Sequence, residues 1–344
     1  MIPVAVRPGG RPPAPSRAGA GPSGSAPSRA GAGTRGLRRT WPYYVAIAPF
    51  FVLFAIFGLF PALYSLVLSF QDWNGLGTAE WVGLANFQAL AADGTFWLSI
   101  KNTLVIFALS TFPMMAIAVV VAAMLNSAKR LSTFYKISYF VPNVTSVVAM
   151  AVLFGSIFGD SFGLVNAGLR AIGLDGVAWL STPWAIQVTI AILITYQWTG
   201  YNAIIFLAGM QAIGTEVYEA AKLDGAGAIR TFWSVTLPLL RPTILFVLVV
   251  STITGLQSFT EAQVLTASSS TTNPNSGGAG QAGLTTVLYF YQQAFNYNRF
   301  GYGAAIAWGV FLLVVIFSII SFRLGSEKKE KAVRAPGTRK GHRA

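Results

Sequence analysis

The sequence predicts an all-α membrane protein with six transmembrane helices. Of its 344 residues, 54% are hydrophobic and only 10% are charged, whereas about a quarter of the residues of a soluble domain carry charge. Six apolar segments are each close to or above the roughly 20 residues that a helix needs to cross the hydrocarbon core. The chain has no Cys and a single His, His342, which excludes thiolate redox chemistry and the usual zinc sites.

Residues 1–40 are dominated by Gly, Ala, Pro, Ser and Arg and contain no acidic residue. Such a segment buries too little apolar area to offset its ordering entropy, so a disordered basic cytoplasmic tail is predicted. No apolar stretch precedes Trp41, which excludes a cleavable secretory signal. A transit peptide is the weaker alternative.

A transmembrane domain is predicted over 41–323. Its first span contains Pro49 and Pro61, which are expected to bend the helix, and aromatic residues flank it as at a membrane interface. Each segment is too long and too apolar for a buried helix of a soluble protein. The six segments are Trp41–Phe70, Thr103–Leu125, Ile137–Gly159, Trp184–Ile213, Pro242–Thr260 and Phe300–Phe322.

The distribution of Lys and Arg orients this domain. With the N-terminus in the cytoplasm, twenty-one of the 24 basic residues fall on the inner side and only Lys101, Arg170 and Arg299 on the outer side. Cytoplasmic loops carry an excess of basic residues, so both termini are expected to be cytoplasmic and 324–344 forms a second basic tail. Because the basic residues cluster in tails and one set of loops, a nucleic-acid partner is not expected.

The loop at about 214–241 is the longest stretch of mixed charge between apolar segments. It is predicted to form two short helices separated at Gly225, which can adopt the left-handed conformation that ends a helix. Thr215 is expected to cap the first helix, and Glu216 suits its positive end. Small residues there would let another protein approach closely, with carboxylates at the edge. A simple connector between membrane helices is the alternative.

The residue pattern of this loop is specific. It runs Glu219-Ala220-Ala221, three residues, Gly225, nine residues, Val235, one residue, Leu237-Pro238. This order resembles the EAA loop of binding-protein-dependent ABC importer permeases, with Val where Ile is common. The resemblance implies a coupling helix that sits in a cleft of an ATPase subunit. The residues expected to couple to the ATPase are Glu219, Ala220, Ala221, Asp224, Gly225, Leu237 and Pro238.

The resemblance extends over residues 41 to 323. The segments that carry it include Phe70-Gln71-Asp72-Trp73-Asn74, Asn102-Thr103-Leu104, Phe140-Val141-Pro142, Phe206-Leu207-Ala208-Gly209 and Leu265-Thr266. They are similar to sugar-importer permeases related to the larger permease subunit of the maltose system. This implies a type I ABC importer permease in the cytoplasmic (inner) cell membrane.

The resemblance also implies the partners and the energy source. A second homologous permease, two ATP-binding subunits and an extracytoplasmic solute-binding protein would complete the transporter. ATP and Mg²⁺ would be used by the ATPase, because this chain has no G-x-x-x-x-G-K-[ST] loop. No catalytic, cofactor-binding or metal-binding residue is therefore predicted in this chain.

Two polar segments interrupt apolar spans. Sugars are bound by amides and hydroxyls together with aromatic faces, and the fourth and fifth spans supply such groups at 196–202 and 251–258. Each of these residues alone could instead mediate helix packing. The family resemblance implies, by position in the sequence, six residues that would line the solute pathway. Gln257 is added because it belongs to the polar segment at 251–258. The pathway residues expected are Tyr196, Thr199, Gly200, Ser251, Thr254, Gly255 and Gln257.

Three other functions are weighed against the sugar importer. A glycerol-phosphate importer would want a cationic group in its cavity, and the central spans supply none. An ion-coupled secondary transporter would favour mid-membrane carboxylates, and no such pair occurs, although carbonyls and hydroxyls can also hold sodium. A membrane scaffold or enzyme would show no solute flux. The outer segments 71–98 and 160–183 are expected to form short amphipathic pieces, and 267–283 a mobile loop.

Overall fold

The computed structural model describes residues 32–127, 132–267 and 276–326. The chain divides into two units, Met1–Phe60 and Pro61–Ala344, which are described separately. Its longer helices are α1 (Ala32–Phe54), α2 (Phe60–Leu68), α3 (Ala85–Ala92), α4 (Gly94–Ser127), α5 (Ser132–Val144), α6 (Val147–Ile157), α7 (Leu164–Ala171), α8 (Pro183–Gln211) and α9 (Thr215–Leu223). They are followed by α10 (Ala228–Thr231), α11 (Leu237–Leu239), α12 (Arg241–Gly255), α13 (Thr260–Ala267), α14 (Thr286–Tyr291) and α15 (Phe300–Ser326). Strands β1 (Gln71–Asp72) and β2 (Glu80–Trp81) pair antiparallel.

The first unit is helical from Ala32 onward. Helix α1 is followed by a π-helical turn, Ala55–Leu59, which lies between the two prolines that were expected to bend the span. Residues 32–40 of the predicted tail are thus part of α1, while 1–31 lie outside the described residues. Extending a formed helix adds one hydrogen bond per residue, so the helix continues beyond the apolar segment.

Several helices are suited to a membrane. By length and composition, four described helical segments could cross one: Tyr43–Leu68, Gly94–Ser127, Pro183–Gln211 and Phe300–Arg323. Two bent helix pairs raise the number to six if each pair is a single span. The mostly helical architecture is confirmed, whereas the six-span count and the orientation of the termini stay predictions.

The third predicted span is not one continuous helix. Helices α5 and α6 meet at an angle of 93°, because Ser146 adopts a non-helical backbone conformation with ψ 126°. Pro142 supplies no amide proton in the last turn of α5, and the Thr145 hydroxyl donates to the Val141 carbonyl at 2.9 Å. The apolar run predicted the segment correctly but missed this break.

The fifth predicted span ends earlier than expected, and a bend precedes it. Helix α12 stops at Gly255 rather than at Thr260, and it meets the preceding helical segment Ala228–Leu239 at 65°. Its 15 residues span only about 22 Å, less than the roughly 30 Å hydrocarbon core. The residues between α12 and α13 form an irregular segment. Membrane proteins tolerate irregular backbone where it lines a cavity.

The core of the second unit is built on α8. This helix packs along α4, and 61% of its most apolar stretch is buried. Ile186, Ile190 and Leu193 belong to one apolar cluster, and Phe206 and Met210 to another. Because aromatic and aliphatic side chains pack along both halves of α8, the helix is held firmly over its whole length.

A hydrogen-bonded network ties the start of α4 to the segment before α14. The buried Asn102 amide donates to the carbonyl oxygens of Gln281 (2.8 Å) and Leu284 (3.2 Å), and its oxygen accepts from Gln187. The Thr103 hydroxyl accepts from the Thr286 amide at 2.9 Å. These side chains satisfy backbone groups that no regular element pairs.

The predicted outer segments are ordered around buried amides. Asn166, which is fully buried, donates to the carbonyls of Asp160 and Val177 and accepts from the Val177 amide and the Trp179 indole. Helix α7 begins two residues before it. Asn86 of α3 donates to two carbonyls in the same way. Short helices are thus confirmed in both segments, while residues 268–275 of the predicted mobile loop lie outside the described residues.

Asp93 joins three helices just before the second candidate span. Its carboxylate accepts from the Thr95 amide at the start of α4, from the hydroxyl of Tyr302 (2.6 Å) and from the hydroxyl of Tyr289. Partial burial raises the pKa of this carboxyl, but the hydrogen bonds from Tyr289, Tyr302 and the backbone outweigh burial, and the net pKa is lowered.

We predict that Asp93→Asn lowers the thermal stability of the protein, because hydrogen bonds to a charged group contribute roughly 1.5–3 kcal/mol. A lowered pKa means that the stabilisation is present at neutral pH and is lost as the pH falls through the folded-state value. The melting-temperature difference between wild type and variant should be constant from pH 6 to 8 and shrink only below about pH 4. A difference that is zero at pH 7 would contradict this assignment.

Helix α5 crosses α8 at Gly200. A Cβ built on this glycine would overlap the carbonyl oxygen of Tyr139, so only glycine allows the two backbones to approach this closely. By contrast, a Cβ on Gly168 in α7 would meet nothing within 4 Å. The small residue at 200 therefore has a packing role.

We predict that Gly200→Ala destabilises the protein by about 1–3 kcal/mol through overpacking. The matched substitution Gly168→Ala should be neutral or stabilising, because alanine is the better helix former by roughly 1 kcal/mol. Thermal unfolding in detergent distinguishes the two. Equal melting temperatures for the two variants would contradict the close approach of the α5 and α8 backbones at Gly200.

Candidate functional site

A cavity of about 340 Å³ lies between α4, α8 and the broken α12–α13 pair. Its walls combine apolar side chains with neutral polar groups and one carboxylate. Two aromatic rings of α8, Trp198 and Tyr201, meet edge to face with centroids 5.8 Å apart. The lining residues are Thr111, Met114, Ile194, Trp198, Tyr201, Asn202, Val250, Ser251, Thr254, Gly255, Gln257, Ser258, Phe259, Thr260 and Glu261.

Helical phase decides which residues of α8 reach this cavity. Ile194, Trp198, Tyr201 and Asn202 are spaced i, i+4, i+7 and i+8, so they share one face of the helix. The Asn202 side chain is fixed by donation to the Trp198 carbonyl at 3.0 Å and by contact with the sulfur of Met114. The hydrophilic segment at 196–202 was identified from the sequence, but this face of it was not.

Three of the expected pathway residues lie on other faces of α8. Tyr196 is 51% exposed and packs against Phe154, with ring centroids 5.6 Å apart. The Thr199 hydroxyl donates to the Thr195 carbonyl of its own helix. Gly200 lies at the crossing with α5. The structure brings none of these three to the cavity, and counting the 3.6-residue period from Trp198 would have separated the two faces.

The other four expected residues do line the cavity. Ser251, Thr254 and Gly255 occupy the last turn and a half of α12, and Gln257 follows the helix end. Gly255 also allows close approach to α4, because a Cβ there would lie 2.9 Å from the ring of Phe107. The helix break therefore presents polar side chains and backbone groups to one space, as in the broken helices of membrane transporters.

Helix α9 is the first of the two short helices predicted in the loop at about 214–241. Glu219 and Ala220 are exposed on it, whereas Ala221 is buried. Gly225 has a positive φ of 74°, and the amides of Ala226 and Gly225 donate to the carbonyls of Ala221 (2.9 Å) and Lys222 (3.0 Å). This pair of bonds is a Schellman motif, so the helix end predicted at Gly225 is confirmed.

The start of α9 differs from the prediction. Gly214 is the N-cap residue, Thr215 is already helical, and no side chain caps the helix, so the expected Thr215 cap is wrong. The carboxylate of Glu216 lies beside Gly214, in the space that a Cβ there would occupy. A negative side chain in the first turn thus complements the positive helix end without a conventional cap.

Leu237 and Pro238 lie farther along the same loop. A π-helical turn, Phe232–Thr236, precedes them, and α11 starts at Leu237. Leu237 is partly buried against the apolar cluster that contains Phe206 and Leu240. This pair therefore anchors the loop on the membrane helices, while Glu219, Ala220 and Asp224 provide its exposed part.

Comparison with known proteins gives the class of this fold. The chain superposes on a chain of a bacterial ABC transporter involved in the import of the acidic polysaccharide alginate, with a TM-score of 0.73 and 24% identity over 86% of this chain and 98% of that one. The architecture is that of a type I ABC importer permease.

The sequence comparisons give the family. The model of the binding-protein-dependent transport system inner membrane component matches residues 89–329. The lactose transport system permease protein LacF of Rhizobium radiobacter is 38% identical over 82% of this chain and 93% of its own length. The arabinooligosaccharides transport system permease protein AraP of Bacillus subtilis is 34% identical over 83% and 90%. The chain belongs to the binding-protein-dependent inner membrane permeases, and it is an integral membrane protein.

The absence of native cysteine permits a direct test of the cavity face. We predict that Tyr201→Cys reacts with a small hydrophilic thiol reagent in membranes, because residue 201 lines the cavity. Tyr196→Cys should react at least several-fold more slowly, since residue 196 lies on another face of a candidate membrane span, where apolar surroundings disfavour the reactive thiolate. The reaction rate of each variant is measured by mass shift, and faster labelling at 196 would reverse the assignment of the two faces.

Proposed function

We propose that this chain is the permease subunit of an ABC importer that translocates a neutral oligosaccharide across the cytoplasmic membrane. The observation that carries the proposal is the cavity, which combines the Trp198–Tyr201 aromatic pair with the polar groups of Asn202, Ser251 and Gln257. Aromatic faces pack on the C–H faces of sugars, and amides and hydroxyls bond their hydroxyls. The names of the lactose and arabinooligosaccharide relatives support the same substrate class.

The cavity forms half of the translocation site in this proposal. A second homologous permease faces it, two ATP-binding subunits bind below, and an extracytoplasmic binding protein delivers the sugar. ATP and Mg²⁺ act in the partner ATPase, and the role of this chain is to bind, orient and release solute. Because no basic side chain lines the cavity within the described part of the chain, a glycerol-phosphate substrate has less support.

Helix α9 transmits the movement of the ATPase. It follows the last residue of α8 after only three residues, Ala212 to Gly214. Closure of the ATPase dimer would displace α9, and the firmly packed α8 would carry the displacement to the cavity face. The energy enters through contacts of α9 that differ between two states, as any allosteric coupling requires.

Substrate class is tested by uptake in cells of the native host that lack only this chain. We expect loss of uptake of at least one neutral oligosaccharide, with labelled lactose and arabinotriose as the probes, and recovery when the chain is supplied again. Glycerol-phosphate uptake should be unchanged. Loss of glycerol-phosphate uptake with normal oligosaccharide uptake would refute the proposal.

Coupling is tested with Glu219→Lys. The substitution reverses the charge of an exposed group on α9, so we predict that the ATPase is no longer recovered with the detergent-solubilised permease and that uptake falls at least tenfold while membrane insertion is normal. The matched control is Glu80→Lys on exposed strand β2, which should retain both. Normal ATPase recovery with Glu219→Lys would remove α9 from the coupling interface.

A further inference from the structure

Glu261 is the acidic residue of the cavity lining. It lies in the first turn of α13, immediately after the irregular segment that follows Gly255. Among the described residues that line the cavity it is the one with a charged side chain. A carboxylate inside a solute cavity must affect which solutes enter, because the other walls are neutral.

The position of this carboxylate is fixed by its surroundings. The Ser258 hydroxyl donates to Oε2 of Glu261 at 3.2 Å. The carbonyl of the buried Ser258 accepts in turn from the buried Thr285 hydroxyl at 2.8 Å. Within the described part of the chain, Ser258 is the hydrogen-bond partner of the Glu261 side chain, so the other carboxylate oxygen is free to accept from a solute hydroxyl.

The basic residues predicted for the outer side do not neutralise Glu261. Arg299 interacts with the ring of Tyr302, 5.4 Å from its centroid, and with the Gln293 side chain at 3.4 Å. None of the three outer basic residues, Lys101, Arg170 and Arg299, lines the cavity. Part of the wall is apolar, formed by Met114, Ile194 and other side chains, and apolar walls strengthen electrostatic effects by excluding water.

We infer that Glu261 is a specificity-determining residue that excludes anionic saccharides from the cavity and accepts hydroxyl groups of neutral ones. The inference rests on the proposed function and adds a charge filter to it. A saccharide carrying a carboxylate, phosphate or sulfonate would be desolvated close to a like charge, which disfavours its entry. A neutral sugar would instead donate a hydroxyl to the carboxylate, a charge-assisted hydrogen bond.

The charge filter can be measured without the binding protein. In the full-length chain in native membranes, Thr254→Cys places a single thiol in the cavity, and its reaction rates with a cationic and an anionic methanethiosulfonate reagent of similar size are compared. With Glu261 present, the ratio of cationic to anionic rate should be high. Glu261→Gln should lower it by roughly tenfold, the effect of removing one nearby unit charge. The amide oxygen that this substitution introduces can still accept from Ser258, so the local structure is retained.

Two controls make the result specific. Glu80→Gln in the same Thr254→Cys chain removes a carboxylate from an exposed strand and should leave the rate ratio unchanged. The same Glu261→Gln change should not alter the ratio for Thr78→Cys, an exposed position between β1 and β2. An unchanged ratio at Thr254→Cys after Glu261→Gln would overturn the charge filter.

Transport then separates this inference from the proposed function. In the complete transporter, Glu261→Gln should lower neutral oligosaccharide uptake without abolishing it, because the charge-assisted hydrogen bond becomes a neutral one. A uronate-containing oligosaccharide should compete at least several-fold better than in wild type. If wild type carries no neutral oligosaccharide, the proposed function fails although the labelling result stands. If neutral uptake is normal and competition by the uronate is unchanged, the charge filter fails and the proposed function stands.

Discussion

The packing of α8 along α4 is the constraint on which the rest of the structure depends. Apolar clusters cover both halves of α8, and the glycine at 200 lets α5 cross it at backbone distance. A helix held in this way has one orientation about its axis. That orientation sends Trp198, Tyr201 and Asn202 to the cavity and fixes the point from which α9 starts.

The same helix connects the two places where function is proposed. Tyr201 lies on its cavity face, and α8 ends at Gln211, about 15 Å farther along its axis. The connection to α9 is only three residues long, so the end of α8 and the start of α9 cannot move far apart. Helix α9 itself ends in a Schellman motif at Gly225, so it is a short rigid element rather than a flexible loop. In the proposed coupling, a displacement of α9 would therefore be transmitted mainly as a movement of α8.

The irregular segment after Gly255 has the complementary role. The amides of Leu256, Gln257 and Ser258 still donate to backbone carbonyls, but the helix does not continue. Carbonyl groups without a helical partner are tolerated in membrane proteins only where they face polar surroundings or protein. Here they border a cavity with hydroxyl, amide and carboxylate side chains. The buried hydroxyl of Thr285, which donates to the Ser258 carbonyl, shows how one freed carbonyl is satisfied by a side chain.

Much of this could be predicted from the sequence. Charge-free runs located the membrane helices, and the residue pattern from Glu219 to Pro238 predicted a loop of short helices with a helix end at Gly225. The breaks at Ser146 and after Gly255 could not be predicted, because apolar content does not report backbone direction. The position of Glu261 in the cavity follows from that second break. Tyr196 and Thr199 were selected by position in a family pattern rather than by helical phase.

The central claim is that α9 controls the cavity through α8. The most direct measurement is the labelling rate of Tyr201→Cys from the outer side in the assembled transporter, with and without a non-hydrolysable ATP analogue. We expect the nucleotide to raise the rate several-fold with Glu219 present and to have no effect with Glu219→Lys. A nucleotide effect of the same size in both chains would contradict the claim.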